Sequence, residues 1–147
     1  MADAWPGLAG RMQQGAHVLP VRVYYEDTDA GGVVYHARYV AFCERARSDY
    51  LRLLGINQSE LPDLFFVVRR MTCDFLKPAR LDDLLEVHTR FSSLAGARIE
   101  IAQQVMLNGN SLFRADVTIA LVDGRGKPRR LPAGLADRLR LASESQP

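Results

Sequence analysis

Cysteine is scarce, with two in 147 residues. Cys43 and Cys73 sit inside apolar patterns and read as small buried hydrophobes rather than as a disulfide. Histidine is scarce too. His17, His36 and His88 are scattered, and no His-rich or Cys-rich ligand spacing occurs, so neither a metal nor a cofactor is expected. Charge of one sign is not in excess. The chain has 19 basic and 17 acidic residues, a net +2, which argues against nucleic acid as a partner. No run approaches the roughly 18 apolar residues of a membrane span. The N-terminus lacks the apolar core of a signal peptide. Internal repeats and low-complexity segments are absent. These absences together predict a soluble, cytoplasmic protein.

What is present is ordinary globular composition, 48% hydrophobic and 24% charged. A chain of this size can bury roughly 70% of its unfolded surface without staples. One domain is expected over residues 19–141, with a flexible N-terminal tail (1–18) and a C-terminal tail (142–147). The tail from Met1 to Val18 shows no periodicity. Leu19 to Tyr25 alternates as a short strand. From His36 to Leu54 the period changes: Tyr39, Cys43, Ala46, Tyr50 and Leu53 mark one face of an amphipathic helix, broadened by Val40, Phe42, Leu51 and Leu54. Gly55 is placed to cap its end. Ile56 to Leu64 reads as a connection.

Four strand-like runs follow. Their alternating positions on the face read as buried are Val67, Arg69, Met71, Cys73 and Phe75; then Leu85, Val87, Thr89 and Phe91; then Ile99, Ile101, Val105 and Leu107; then Phe113, Ala115, Val117, Ile119 and Leu121. Asn108-Gly109 is the strongest hairpin signal. A short helix is predicted over Pro132 to Leu141. A strand, one long apolar helix and an antiparallel meander define an α+β class, with about five strands wrapped around the helix.

The densest chemistry lies in one stretch, Tyr24 to Val40, reading YYEDTDAGGVVYHARYV. Asp27-Thr28-Asp29 is turn chemistry. Gly31 and Gly32 let another group approach the main chain closely. The helix that follows begins with N–H groups that have no internal partner and can polarise an oxygen. A carboxylate before such a helix start has two readings: a cap or turn former, or a catalytic acid beside a donor for a developing oxyanion. Two carboxylates cannot both serve one cap, which favours a site. His36, close to Asp29 in sequence, is either structural or part of that polar site.

Order and motif together resemble the hotdog fold. More narrowly they resemble the 4-hydroxybenzoyl-CoA thioesterase family, in its Tol-Pal-associated acyl-CoA thioesterase branch. VRVYYEDTDAGGVVYHARYVAFCERAR carries most of the likeness. FVVRRMTCDFLKPARLDDLLEV and the hairpin strands through Val122 carry the rest. The resemblance implies an acyl-CoA substrate, with Asp29 as the active-site carboxylate and His36 as its companion. The backbone N–H of His36 would polarise the thioester carbonyl. It also implies a homodimer or homotetramer with active sites between subunits.

The chemistry agrees with that implication. A thiolate of pKa about 8.5 leaves with little proton assistance. The step that needs help is attack on the carbonyl, which calls for a polariser and an activated water or nucleophile. No G-x-S-x-G elbow supplies a serine. Asp29 would act as general base or as nucleophile. An ordinary Asp pKa of about 3.9 makes a weak base, so desolvation would have to raise it. Glu44, on the same helix, is the rival carboxylate or else a salt-bridge partner for a neighbouring Arg. Asp27 is expected to shape the turn. Tyr25 and Tyr35 line the acyl pocket or pack in the core, and Gly32 lies where substrate would approach. Arg69, Arg70, Lys77, Arg80 and Arg98 are candidates for CoA phosphates or solvated surface charges. The alternative from another class is a non-catalytic acyl-binding or scaffold protein of the cell-envelope Tol-Pal machinery.

Overall fold

The computed structural model describes residues 4–144. Six strands and two α-helices form it: β1 Arg11–Gln13, β2 Ala16–Arg22, α1 His36–Leu53, β3 Phe65–Phe75, β4 Leu84–Ala95, β5 Arg98–Leu107, β6 Asn110–Val122 and α2 Ala133–Glu144. Short 3-10 turns occupy Tyr25–Asp27 and Gln58–Glu60. The strands make one antiparallel sheet in the order β1-β2-β4-β5-β6-β3. This is the hotdog architecture, with six strands where about five were expected.

Period-two patterning built the meander. Leu85, Val87 and Thr89 on β4 and Phe113, Ala115, Val117 and Ile119 on β6 are buried as their alternation requires. Asn108 and Gly109 join β5 to β6 with φ values of 50° and 82°, the left-handed pair that a tight hairpin needs. Register shifts interrupt β3 between Val68 and Arg70 and β4 between Phe91 and Ser93. Such bulges bend a strand and increase its twist, as a sheet curling round a helix requires.

α1 lies across β2, β4 and β5. Its buried face is Tyr39, Phe42, Cys43, Ala46 and Tyr50. Phe42 takes the deep position, whereas Leu53 is exposed. Each large apolar side chain buried there contributes about 2 kcal/mol. Cys43 is fully buried, and burial pushes its thiol up to about 12. Cys73, expected to be buried, is only half-covered, because β3 is the last strand of the sheet. Both thiols are free.

The ends of the domain differ most from expectation. The segment expected to be a flexible tail contains β1 and the first half of β2, and Ala16, His17 and Val18 are buried. β2 pairs along β4, with His17 opposite Thr89. α2 runs past Leu141 to Glu144, with Ala142 buried. Residues 1–3 and 145–147 of the expected tails lie outside the described residues.

His17 explains why the N-terminal segment is held. Its Nε2 lies 2.6 Å from the Ala9 carbonyl. A carbonyl only accepts, so Nε2 carries the proton. The ring stacks on Tyr50 at 5.2 Å, and Nδ1 has no partner. Burial lowers the pKa of His17, opposed by the Ala9 carbonyl and the charge of Asp49. The unfolded chain therefore takes up a proton here before the folded one does. The His17 contribution to stability is complete above pH 6.5 and falls as pH drops below it. Urea midpoints measured between pH 8 and pH 5 should decrease toward acid, and His17→Gln should flatten part of that slope.

Candidate active site

Loop 27–35 folds back on itself in front of α1. The Asp29 N–H donates to the Val33 carbonyl at 2.9 Å, and the Tyr35 N–H donates to the Asp27 carbonyl at 2.9 Å. Thr28 and Val34 pair as an isolated bridge. The Asp27-to-Tyr35 pairing thus carries Asp29 and the start of α1 on one small closed unit. Gly32 has φ +81°, which a side chain would strain. Gly31 answers a different need: a Cβ there would lie 3.2 Å from Asp29 Oδ1.

The two acids have separate tasks. Asp27 is buried, accepts the Tyr24 N–H at 2.9 Å, and pairs with Arg38 Nε at 3.1 Å. It shapes the turn, as expected. Asp29 is exposed. One oxygen accepts the Gly31 N–H at 2.8 Å. Among the described residues its other oxygen has no hydrogen bond.

Tyr35 is the N-cap of α1, and its side chain caps nothing. The Arg38 N–H donates to the Tyr35 carbonyl at 2.8 Å, and the His36 and Ala37 N–H groups before it remain open to an incoming oxygen. His36 is the first helical residue and is exposed. Its ring contacts Tyr35 at 4.6 Å and Phe75 at 6.1 Å. Tyr25 and Tyr35 are 82% and 46% exposed, so the core-packing reading fails for both. They flank the loop because its backbone, not their rings, is tied inward. Glu44 is not part of this unit. It lies two turns further along α1, about 12 Å by helix rise. Among the described residues it makes no ion pair.

Several contacts that hold the site gave no signal in the sequence. Arg38 reaches back 11 and 12 positions to Asp27 and Glu26, at 3.1 and 3.2 Å. Neither spacing belongs to a helix pattern. Tyr39 is buried, and its hydroxyl accepts the Ala79 N–H at 2.9 Å. The Ala79 carbonyl in turn accepts the Val34 N–H at 2.9 Å. Arg80, next along, bridges Val33. An aromatic floor of Phe75, Tyr39 and Phe113 lies under the helix start. Replacing Arg38 with Met would leave the buried Asp27 carboxylate short of its charged donor. A loss of about 2 kcal/mol in urea unfolding is expected, and a loss under half of that would refute the pairing as a support.

Among the described residues no cluster of His, Cys, Asp and Glu is placed to hold a metal, and no helix is long and apolar enough to cross a membrane. A curled antiparallel sheet around one long helix, with an acidic loop at the helix start, defines a hotdog protein of the thioesterase type. The chain belongs to the thioesterase superfamily, which residues 31–113 match. It is 52% identical over 118 residues to the acyl-CoA thioesterase YbgC of Haemophilus influenzae, covering 78% of this chain and 87% of that one. It is 49% identical over 120 residues to the acyl-CoA thioester hydrolase YbgC of Escherichia coli, covering 79% and 90%. Among solved structures, a probable thioesterase from Bartonella henselae superposes with a TM-score of 0.78 at 48% identity, over 80% of this chain and 99% of the other.

Proposed function

We propose that this chain hydrolyses acyl-CoA thioesters to the free acid and CoA. One observation carries the reading: an exposed carboxylate, Asp29, with one oxygen unbonded among the described residues, on a loop that leads straight into an uncapped helix N-terminus. The helix N–H at His36 would bind the carbonyl oxygen as negative charge develops on it. Asp29 would either take a proton from water or attack to form an acyl-enzyme anhydride. The His36 imidazole would orient water or the carboxylate. Cys43 offers no rival nucleophile, because burial keeps it protonated. The two relatives named above, both acyl-CoA thioesterases by name, support the substrate class.

The same reading makes the working unit a homodimer or homotetramer. β3 ends the sheet, is 11 residues long, and exposes Phe65, Val68 and Phe75. An open edge of that length is a template for a second copy. Pairing there would cover the acidic loop and strip water from Asp29. Arg80 is the best-placed candidate for a CoA phosphate, because it is exposed and bridges Val33 beside the glycines. We also infer membership of the Tol-Pal-associated branch, on the strength of the Tyr24-to-Val40 motif, and a cytoplasmic location.

The test is thiol release across acyl-CoAs of increasing chain length. Turnover of one or more is expected. A folded protein that turns over none of them would sink the reading and leave the acyl-binding scaffold in its place.

A further inference from the structure

A second feature lies at the other end of α1. A cavity of about 200 Å³ opens between the helix, the sheet and α2. Leu51, Phe66, Phe91, Ile101, Ile119 and Leu139 give it an apolar body. Most of its polar groups come from α1, with Gln58 and Thr89 besides. Arg47 lines it; among the described residues its guanidinium forms no salt bridge, although the Glu44 charge acts on it. Arg47 Nη1 donates to Gln103 Oε1 at 2.9 Å. The Gln103 amide nitrogen donates to the Cys43 carbonyl at 3.0 Å and to Thr89 Oγ1 at 2.9 Å. A flipped amide would set its oxygen against that carbonyl, so the orientation is fixed and Arg47 is held by it. A guanidinium has five N–H donors, and Gln103 uses one of them. Tyr50 also lines the cavity, and its hydroxyl is buried without a partner. The Tyr50 hydroxyl is thus a buried polar group that the protein leaves unpaired, and Arg47, half-buried beside it, keeps N–H groups that Gln103 does not use.

We propose that this cavity seats the acyl group, and that the group it takes is aliphatic with an oxygen acceptor at the end remote from the thioester, bound by Arg47 and Tyr50. This rests on the thioesterase reading above. Glu44 lines the same cavity, and its negative charge favours a hydroxyl or carbonyl oxygen over a carboxylate. Gln103 is a positioning residue, acting through Arg47. The route from loop to cavity follows from the open edge of β3. Within one chain the cavity flanks the Phe66 end of β3, while His36 sits against Phe75 at the other end. Two β3 strands paired antiparallel about their midpoints bring the Phe75 end of one beside the Phe66 end of the other. The cavity of one copy then faces the acidic loop of its partner.

The experiment compares plain and terminally hydroxylated acyl-CoAs of equal length, by kcat/KM from thiol release. At the length that fills the cavity the hydroxylated substrate should lead by about tenfold or more. Arg47→Met and Tyr50→Phe should each bring that ratio toward one. Tyr50→Phe removes only a hydroxyl without a protein partner, so it keeps the fold should Arg47→Met lose it. A ratio at or below one at every length overturns the proposal, as does a ratio that neither substitution moves. Turnover of plain acyl-CoAs with a flat ratio overturns this inference alone. Absence of turnover on every acyl-CoA overturns the thioesterase reading and this inference with it.

Discussion

Asp29→Asn should lower kcat/KM for acyl-CoA by about a thousandfold while the protein stays folded. The amide side chain is nearly the same shape as the carboxylate. Its oxygen can still accept the Gly31 N–H, so the loop closed by the Asp29-to-Val33 bond keeps its geometry. What it loses is the negative charge. Asparagine neither takes a proton from water nor attacks a carbonyl, so both routes fail with it. The open N–H groups of α1 remain, and they set the residual rate. Circular dichroism and the urea midpoint should match wild type, because Asp29 is exposed and its charge supports no buried partner among the described residues. Turnover that survives the substitution would remove Asp29 from the chemistry. Glu44 would then be the next carboxylate to test, with the difficulty that it sits two helical turns from the loop.

The reach of the sequence is best judged residue by residue. α1 and the strands β4, β5 and β6 were legible because each has one buried face with its own period, 3.6 or 2, whereas β3 has no fully buried position and pairs with β6 rather than opening the expected four-strand meander. The hairpin at Asn108-Gly109 was legible because only a few residue pairs tolerate two left-handed positions. The Tyr24-to-Val40 stretch was legible as a site because it concentrates acids and glycines before a helix. β2 was not legible in its first half. Ala16, His17, Val18 and Leu19 are buried in succession, so alternation is absent, and a histidine among them reads as polar. Gln103 failed for the same reason: a buried amide satisfied by three partners looks like a surface residue in one dimension. Strand order was also hidden. Period fixes which face is buried, but not that β3 would end the sheet and leave Cys73 and Phe75 uncovered. The cavity draws its walls from α1, α2 and four strands, a conjunction no local pattern announces. Tyr25 and Tyr35 show the converse, aromatic residues left outside because they belong to a loop anchored by its backbone.

Phe113→Ala should be the most destabilising single change, at about 3–5 kcal/mol. Phe113 is fully buried on β6. Its ring stacks on Tyr39 at 5.3 Å and meets Phe75 edge-on at 5.0 Å. Phe75 is also its partner across the β3–β6 ladder, so the cavity left behind would be walled by sheet backbone that cannot collapse far. A small domain has only about 5–15 kcal/mol in all, and the urea midpoint should fall accordingly. The loss should also spread in a definite direction. Tyr39 is held on one side by Phe113 and on the other by the Ala79 N–H, and the Ala79 carbonyl holds Val34 in the acidic loop. Amide exchange at Ala79 and Val34 should therefore accelerate more than at the Asn108-Gly109 hairpin. Phe113→Leu, which keeps most of the volume, should cost less and leave the loop amides slower to exchange. A loss below about 1 kcal/mol for Phe113→Ala, a range typical of surface changes, would mean that the aromatic floor does not support the helix start. The coupling between the core of the fold and the loop that carries Asp29 would then have to run through Arg38 and Asp27 instead.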